Sequence, residues 1–285
     1  MKVLILGMGH VGKALARRLR DDGHQLNGTT TTAAKVSELE HYADKIYVLR
    51  GSDKDALAEA AQGCDAIIVT AAPNVRKTRT REEREEHYQE VLLASCRSAA
   101  AACERCVFLS SFSVYGDGGD GEEPITESTP VSNQDEPSAK YYYAAENAVL
   151  DETQGCALRF PDMYGAPGDM SFPERVKLAH QHFEGKTIFG ADAPLYAIHF
   201  EDVIAAVIHA LYENLTGVFN VCDNDNLPGT NQQVFDAICD AEGLSRLEFL
   251  NHIKAPNRKI SAAKIYATGY AVKHADPNRH LLSEN

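Results

Sequence analysis

The sequence predicts an α/β protein built on a doubly wound parallel sheet, and three features lead to that expectation. A short apolar run from Val3 to Leu6 leads without a spacer into Gly7-Met8-Gly9-His10-Val11-Gly12 and then into the helical pattern KALARRLRDDG. Apolar runs of strand length then alternate with helical stretches through the first half of the chain, the order that parallel strands with crossover helices require. Finally, 285 residues with 44% hydrophobic content can bury a large core, as one big α/β domain or as one domain plus a small cap.

The glycine turn between the first strand and the first helix has the spacing of a dinucleotide-binding Rossmann unit. Gly7 permits the tight turn, Gly9 lets the backbone approach a pyrophosphate without a Cβ in the way, and Gly12 lets the helix pack closely on the strand. The helix start at His10 and Val11 adds N–H donors and a positive dipole end for phosphate.

HQLNGTTTT is expected to be the second strand and its exit loop. An acid about 20 residues beyond the glycine turn would bind the ribose 2′-OH of NAD, and Asn27 to Thr31 supply none. Thr29, Thr30 and Thr31 leave room and hydroxyls for a 2′-phosphate, so NADP is expected over NAD. The alternative is that the threonines only form a turn, with selectivity set by Lys35 or Arg50.

Ile46 to Leu49 reads as the third strand, DKDALAEAAQG as a helix and CDAIIVTAA as the fourth strand. Ala71 and Ala72 close that strand with small residues, as a position beside a cofactor requires. The next segment begins with the basic cluster Arg76, Lys77, Arg79 and Arg81 and becomes a long helix from Glu82 to Ala102. The cluster reads as a solvated loop before it reads as an anion site.

A net charge of -13 argues against a nucleic-acid partner, which needs a basic face. No apolar run is long enough for a membrane span, and the expected location is the cytoplasm. The 7 cysteines are an odd number without a disulfide framework, which fits a reducing compartment. Cys103 and Cys106 lack a second pair or a nearby histidine, so they read as small core residues and no metal site is expected.

CVFLSSFSVYGD is a strand followed by a hydroxyl-rich turn, and here the chain resembles the short-chain dehydrogenase/reductase superfamily, in its extended NAD(P)-dependent epimerase/dehydratase group. The later segments ALRFPDMYGAPGD, AIHFEDVIAAVIHAL, GVFNVCD and RKISAAKIYATGY are similar, in the right order, to that group's sixth strand, I-H-V-x-D-V segment, Y-N-V strand and C-terminal signature. The resemblance implies a substrate-binding serine at Ser111. It also implies that Glu90 lies near a position the group often fills with asparagine.

Two departures stand out. The glycine turn is more compact than the group's usual G-x-x-G-x-x-G. The group's Y-x-x-x-K, in which the lysine lowers the pKa of an acid/base tyrosine, has no match in PSAKYYYAAENAVL. Aligning AAEN with the group's A-A-E puts Ser138 at the tyrosine position and Tyr142 at the lysine position. Tyr142 and Tyr143 remain the candidate proton donors beside Ser111, and aromatic packing is the competing reading. His199 reads as a hydrogen-bonded structural histidine and Asp202 as a helix N-cap.

The resulting expectation is an N-terminal NAD(P)-binding Rossmann domain over residues 1–164 and a smaller C-terminal substrate lobe over 165–285. Segments near 197–222 return to the sheet, and a cleft lies between the two parts. The expected function is an NADP-dependent oxidoreductase or epimerase/dehydratase acting on a small carbonyl or hydroxyl compound, sugar-linked in the leading version. The alternative is a non-catalytic dinucleotide-binding regulatory protein that has lost the Y-x-x-x-K pair. A homodimer is expected through the stripe Tyr88, Leu92, Ser95 and Ala99 together with Ala144 and Ala148.

Overall fold

The computed structural model describes residues 1–74, 78–131 and 136–282. The chain begins β1 (Lys2–Leu6), α1 (His10–Asp21), β2 (Gln25–Thr30), α2 (Val36–Leu39), β3 (Lys45–Val48), α3 (Lys54–Ala60) and β4 (Ala66–Val69). It continues with α4 (Arg81–Tyr88), α5 (Ser95–Ala102), β5 (Cys106–Ser111), α6 (Pro137–Glu152), β6 (Cys156–Phe160), β7 (Asp162–Tyr164) and α7 (Phe172–His182). It ends β8 (Lys186–Thr187), β9 (Ala197–His199), α8 (Phe200–Tyr212), β10 (Gly217–Asn220), α9 (Asn231–Glu242), β11 (Glu248–Phe249) and α10 (Ala263–Tyr266).

Seven strands form one sheet in the order β10-β6-β5-β4-β1-β2-β3. β1 pairs in parallel with β2 on one side and β4 on the other, and the pairs β2–β3 and β4–β5 are parallel as well. The chain winds outward from β1 to β3, crosses back to β4, and winds outward again. This is the doubly wound α/β fold, and its switch point lies between β1 and β4, where diverging loops leave a crevice at the carboxyl ends of the strands.

Strands covered on both faces read as unbroken apolar runs: Val3, Leu4, Ile5, Ile67, Ile68 and Val69 have no accessible surface. Burying each such side chain contributes roughly 1.5–3 kcal/mol. The third strand ends one residue earlier than the apolar run, at Val48, and Leu49 packs into the core just beyond it.

The helices turn an apolar face inward and are fixed at their ends by local chemistry. α1 buries Leu15, Ala16 and Leu19 and carries Arg18 and Arg20 in its last turn, where cations complement the dipole. Asp53 caps α3 and Thr80 caps α4 through their side-chain oxygens. Capping boxes open α7 (Ser171 with Glu174) and α9 (Thr230 with Gln233). Between α4 and α5 the residues Gln89–Ala94 continue the helix in a wider π form.

The chain forms two compact units, each assembled from separated segments. Residues 1–114, 134–159 and 204–219 make the unit of the large sheet, and residues 115–133, 160–203 and 220–285 make the second. The second unit has its own core, including Phe172, Val176, Leu195, Phe235 and Ile238, and small parallel pairings β7–β9 and β8–β11.

Of the residues expected to face a dimer partner, Tyr88, Leu92, Ser95 and Ala99 are buried within the first unit, whereas Ala144 and Ala148 are partly buried. Of the basic cluster, Arg76 and Lys77 lie outside the described residues, while Arg81 pairs with Glu85 at 3.2 Å one helical turn on. Cys106 is buried, and burial pushes its thiol up to about 12. No helix among the described residues is long and apolar enough to cross a membrane.

Candidate functional site

The glycine turn sits at the end of β1, at the switch point. Gly7 adopts φ +108°, a conformation that disfavours any residue with a Cβ. Its amide donates to Thr29 Oγ1 (3.0 Å) on β2, and its carbonyl accepts from Thr70 Oγ1 (2.6 Å) at the exit of β4. Met8 N donates to the Thr29 carbonyl at 2.9 Å. Two threonines from the flanking strands therefore pin the turn. A Cβ on Gly12 would stand 2.2 Å from the Gly7 carbonyl oxygen, whereas a Cβ on Gly9 would meet nothing within 4 Å. Gly12 is required by packing inside the protein, and Gly9 faces open space.

No side chain caps α1, and its first turn contains no acid. The amide donors that every helix start leaves over at His10 and Val11 thus lie beside the open space above Gly9, in the arrangement that favours an anion. The residues present fit the pyrophosphate of a dinucleotide. After β4 the chain passes tightly against the turn, with Ala71 N 3.0 Å from where a Cβ on Gly7 would stand, and Ala72 is exposed.

The threonine loop divides its labour. The Thr29 hydroxyl is already the acceptor for Gly7, and Thr30 Oγ1 accepts from Thr32 N at 3.2 Å. Thr31 and Lys35 are exposed. Asn27 is buried and braces β2 by donating its amide to the Ala60 carbonyl at 2.8 Å. Arg50 pairs with Glu90 at 2.6 Å.

At the end of β5, Ser111 Oγ lies 2.9 Å from Ser113 Oγ and accepts from Ser113 N at 3.1 Å. Its neighbour Ser110 donates to Glu146 on α6. Glu146 and Arg159 form a bidentate pair, Nε to Oε1 at 2.9 Å and Nη2 to Oε2 at 2.7 Å, with almost nothing of either side chain accessible. This pair fixes the register of α6 against the sheet.

One turn before Glu146, the Tyr142 ring stacks on Phe108 (centroids 6.2 Å apart) and meets Tyr88 edge-on (6.2 Å). Desolvation pushes its phenol above the ordinary tyrosine value, with Tyr88 and Cys96 adding to the shift. Tyr143 is exposed. Lys140 lies over the Tyr141 ring at 5.0 Å and 3.8 Å from Glu85.

In the second unit, Asp202 is not an N-cap. It lies inside the first turn of α8, is buried, and its carboxylate accepts from Lys273 N, His274 N and His274 Nδ1, each at 3.0 Å. The His274 ring stacks on His199 at 3.9 Å. His199 Nδ1 accepts from Glu201 N at 3.2 Å. Burial lowers the His199 pKa, and His274 lowers it further. Tyr164 meets His199 edge-on at 5.1 Å, and its hydroxyl donates to the Ala275 carbonyl.

Sequence reasoning did not single out Thr70, the Glu146–Arg159 pair or His274. Thr70 carried a usable signal as the hydroxyl that ends an otherwise apolar strand. The other residues meet their partners only through tertiary register.

A glycine turn at the switch point of a doubly wound sheet defines a dinucleotide-binding class of protein. Residues 3–222 match the model of the NAD dependent epimerase/dehydratase family, and the chain belongs to that family of NAD(P)-dependent enzymes. Among curated proteins it is similar to Protein YeeZ of Escherichia coli K12, 29% identical over 288 residues and covering 97% of each chain. Among solved structures, WbmG of Bordetella bronchiseptica in complex with NAD aligns with a TM-score of 0.77 at 18% identity, over 98% of this chain and 91% of that one. A UDP-glucuronic acid 4-epimerase mutant from Bacillus cereus, in complex with NAD and a fluorinated UDP-sugar, aligns at 0.74 and 18% identity, over 100% and 98%. The dTDP-glucose 4,6-dehydratase of Bacillus anthracis in complex with NAD aligns at 0.73 and 17%, over 99% and 94%.

Proposed function

We propose that the chain is an NADP-dependent oxidoreductase or epimerase/dehydratase acting on a small, sugar-linked carbonyl or hydroxyl compound. The observation that carries the reading is the open space over Gly9 beside the uncapped start of α1, in a chain of this family. The sugar-linked substrates named for the similar structures support the substrate class. NADP is favoured because residues 27–31 contain no acid to meet a ribose 2′-OH, while Thr30 and Thr31 supply hydroxyls to a 2′-phosphate. Gly9, His10 and Val11 would hold the pyrophosphate, Gly7 and Gly12 shape the turn that presents them, and Ala71 and Ala72 would border the dinucleotide.

The bound nicotinamide supplies hydride transfer. Ser111, coupled to Ser113, orients the reacting oxygen by hydrogen bonding. Tyr143, the exposed member of the tyrosine pair, is the better-placed proton donor, because Tyr142 is held between Phe108 and Tyr88. Lys140, three residues before Tyr143 on α6, is engaged with the Tyr141 ring and Glu85, so it does not assist the proton transfer at Tyr143 and turnover is slow.

The packing of Tyr142 where the family's lysine stands specifically favours a second reading, a dinucleotide-binding protein without turnover. A screen of NADP-dependent turnover across nucleotide sugars, free sugars and simple carbonyls separates the two. Turnover lost in Ser111→Ala supports the enzyme, and dinucleotide binding without turnover on any of them supports the binding protein.

A further inference from the structure

One stripe of α1 leads from the glycine turn to the segment that follows β2. Lys13, Arg17 and Arg20 stand four and three residues apart, the spacing that puts side chains on one helix face. Lys13 Nζ donates to Glu38 Oε1 on α2 at 3.0 Å, Arg17 lies over the Tyr42 ring at 5.7 Å, and Arg20 donates to the His41 carbonyl at 2.8 Å. The stripe therefore faces residues 38–42, beyond the threonine loop. Lys13 is its member nearest the turn, and its own amide donates to the Gly9 carbonyl at 2.9 Å. One residue joins the turn that faces open space to the element that follows Thr30 and Thr31. Its ion pair is an open one, with 27% of the Lys13 side chain and 54% of the Glu38 side chain accessible. A pair so exposed contributes little to stability. The hydrogen bond to Lys13 and the charges of Lys13 and Lys35 hold the Glu38 carboxyl below its ordinary value, so this carboxylate lies in the field of two cations, in a chain whose net charge is -13. NADP carries its extra phosphate on the same ribose that bears the pyrophosphate, and an ammonium gains more from a phosphate dianion than from an exposed carboxylate.

We propose that Lys13 exchanges Glu38 for the 2′-phosphate of NADP, and that this exchange sets the preference for NADP over NAD. Glu38 keeps the ammonium beside the turn until the phosphate takes it. With NAD, Lys13 has no second anion to turn to, and the pair stays closed. This deepens the reading of the chain as a dinucleotide-binding protein and rests on it.

The test is calorimetric titration of NADP and of NAD into the wild-type protein, Lys13→Met, Lys13→Arg, Glu38→Gln and Lys35→Met. Lys13→Met keeps an unbranched apolar stem and removes the charge, so it should weaken NADP at least about tenfold, the scale of a lost charge-assisted contact, while NAD moves by less than about threefold. Lys13→Arg should keep most of the NADP affinity. Glu38→Gln releases the ammonium from its carboxylate, so NADP should bind roughly threefold more tightly and NAD as before, the scale of an exposed ion pair. Because Glu38 is exposed on α2, that variant gives the answer should Lys13→Met fail to fold. Equal losses of both dinucleotides in Lys13→Met, NADP affinity unmoved by it, unchanged or weaker NADP binding by Glu38→Gln, or a larger loss in Lys35→Met than in Lys13→Met would overturn the proposal. The two readings fail differently. No binding of either dinucleotide by the wild type removes the dinucleotide reading itself, whereas binding whose NADP-to-NAD ratio Lys13→Met does not move removes the role of Lys13 alone.

Discussion

Arg159 carries a permanent charge into a place almost wholly removed from water, and the Glu146 carboxylate, itself bonded to the Ser110 hydroxyl, makes that tolerable. Removing one partner of such a pair leaves an uncompensated buried charge, so Glu146→Ala is expected to cost about 3–5 kcal/mol in denaturant unfolding. A loss below about 1 kcal/mol would mean that water reaches Arg159. The glycines of the turn separate just as sharply. Gly12→Ala drives a Cβ into the Gly7 carbonyl and should lower stability by about 1–3 kcal/mol. A Cβ at Gly9 meets nothing within 4 Å, so Gly9→Leu should keep the melting temperature and lose the dinucleotide. At the reaction, Tyr143→Phe should lower turnover by roughly 10²-fold, the ordinary worth of a positioned proton donor, while Tyr142→Phe changes rate little. The reverse ranking would place the donor at Tyr142. The glycines were legible in the sequence because their constraint is local, a turn whose geometry a few residues define. Glu146 and Arg159 were not, because a helix and a strand bring them together only in the folded register. Tyr142 was legible as either donor or packing residue, and its two aromatic neighbours, Tyr88 and Phe108, come from other elements.

Helices and strands were read with different success for physical reasons. β1 and β4 stand out as unbroken apolar runs because both faces are covered. The helical run from Glu82 to Ala102 was visible as one helix, but its π segment was not, since an added residue in a turn leaves no compositional mark. Its apolar stripe was legible too, although apolar periodicity says only that a face is covered and not by what. The cover is the unit's own core, so of the expected interface only the partly buried Ala144 and Ala148 remain for a partner. Light scattering at micromolar concentration tests this: Ala144→Glu should shift any dimer toward monomer, and an unchanged dimer mass would place the interface elsewhere.

At the scale of the whole molecule, the order of strands places the glycine turn at the crevice of the sheet, and stability over pH reports on the second unit. Burial and His274 hold the His199 pKa below its ordinary 6.5. Between those two values the unfolded chain binds more protons than the folded one, so this contribution is intact above about 6.5 and is lost as pH falls through the folded value. His199→Gln should flatten the fall in melting temperature on that acid limb, and an unchanged slope would assign it to other groups. The central claim concerns the turn at the end of β1. Calorimetric titration of the protein and of Gly9→Leu with NADP and with NAD tests it most directly. The wild-type chain should bind NADP more tightly than NAD, and the folded variant should bind neither. Undiminished binding by Gly9→Leu, or no binding of either dinucleotide by the wild type, would contradict it.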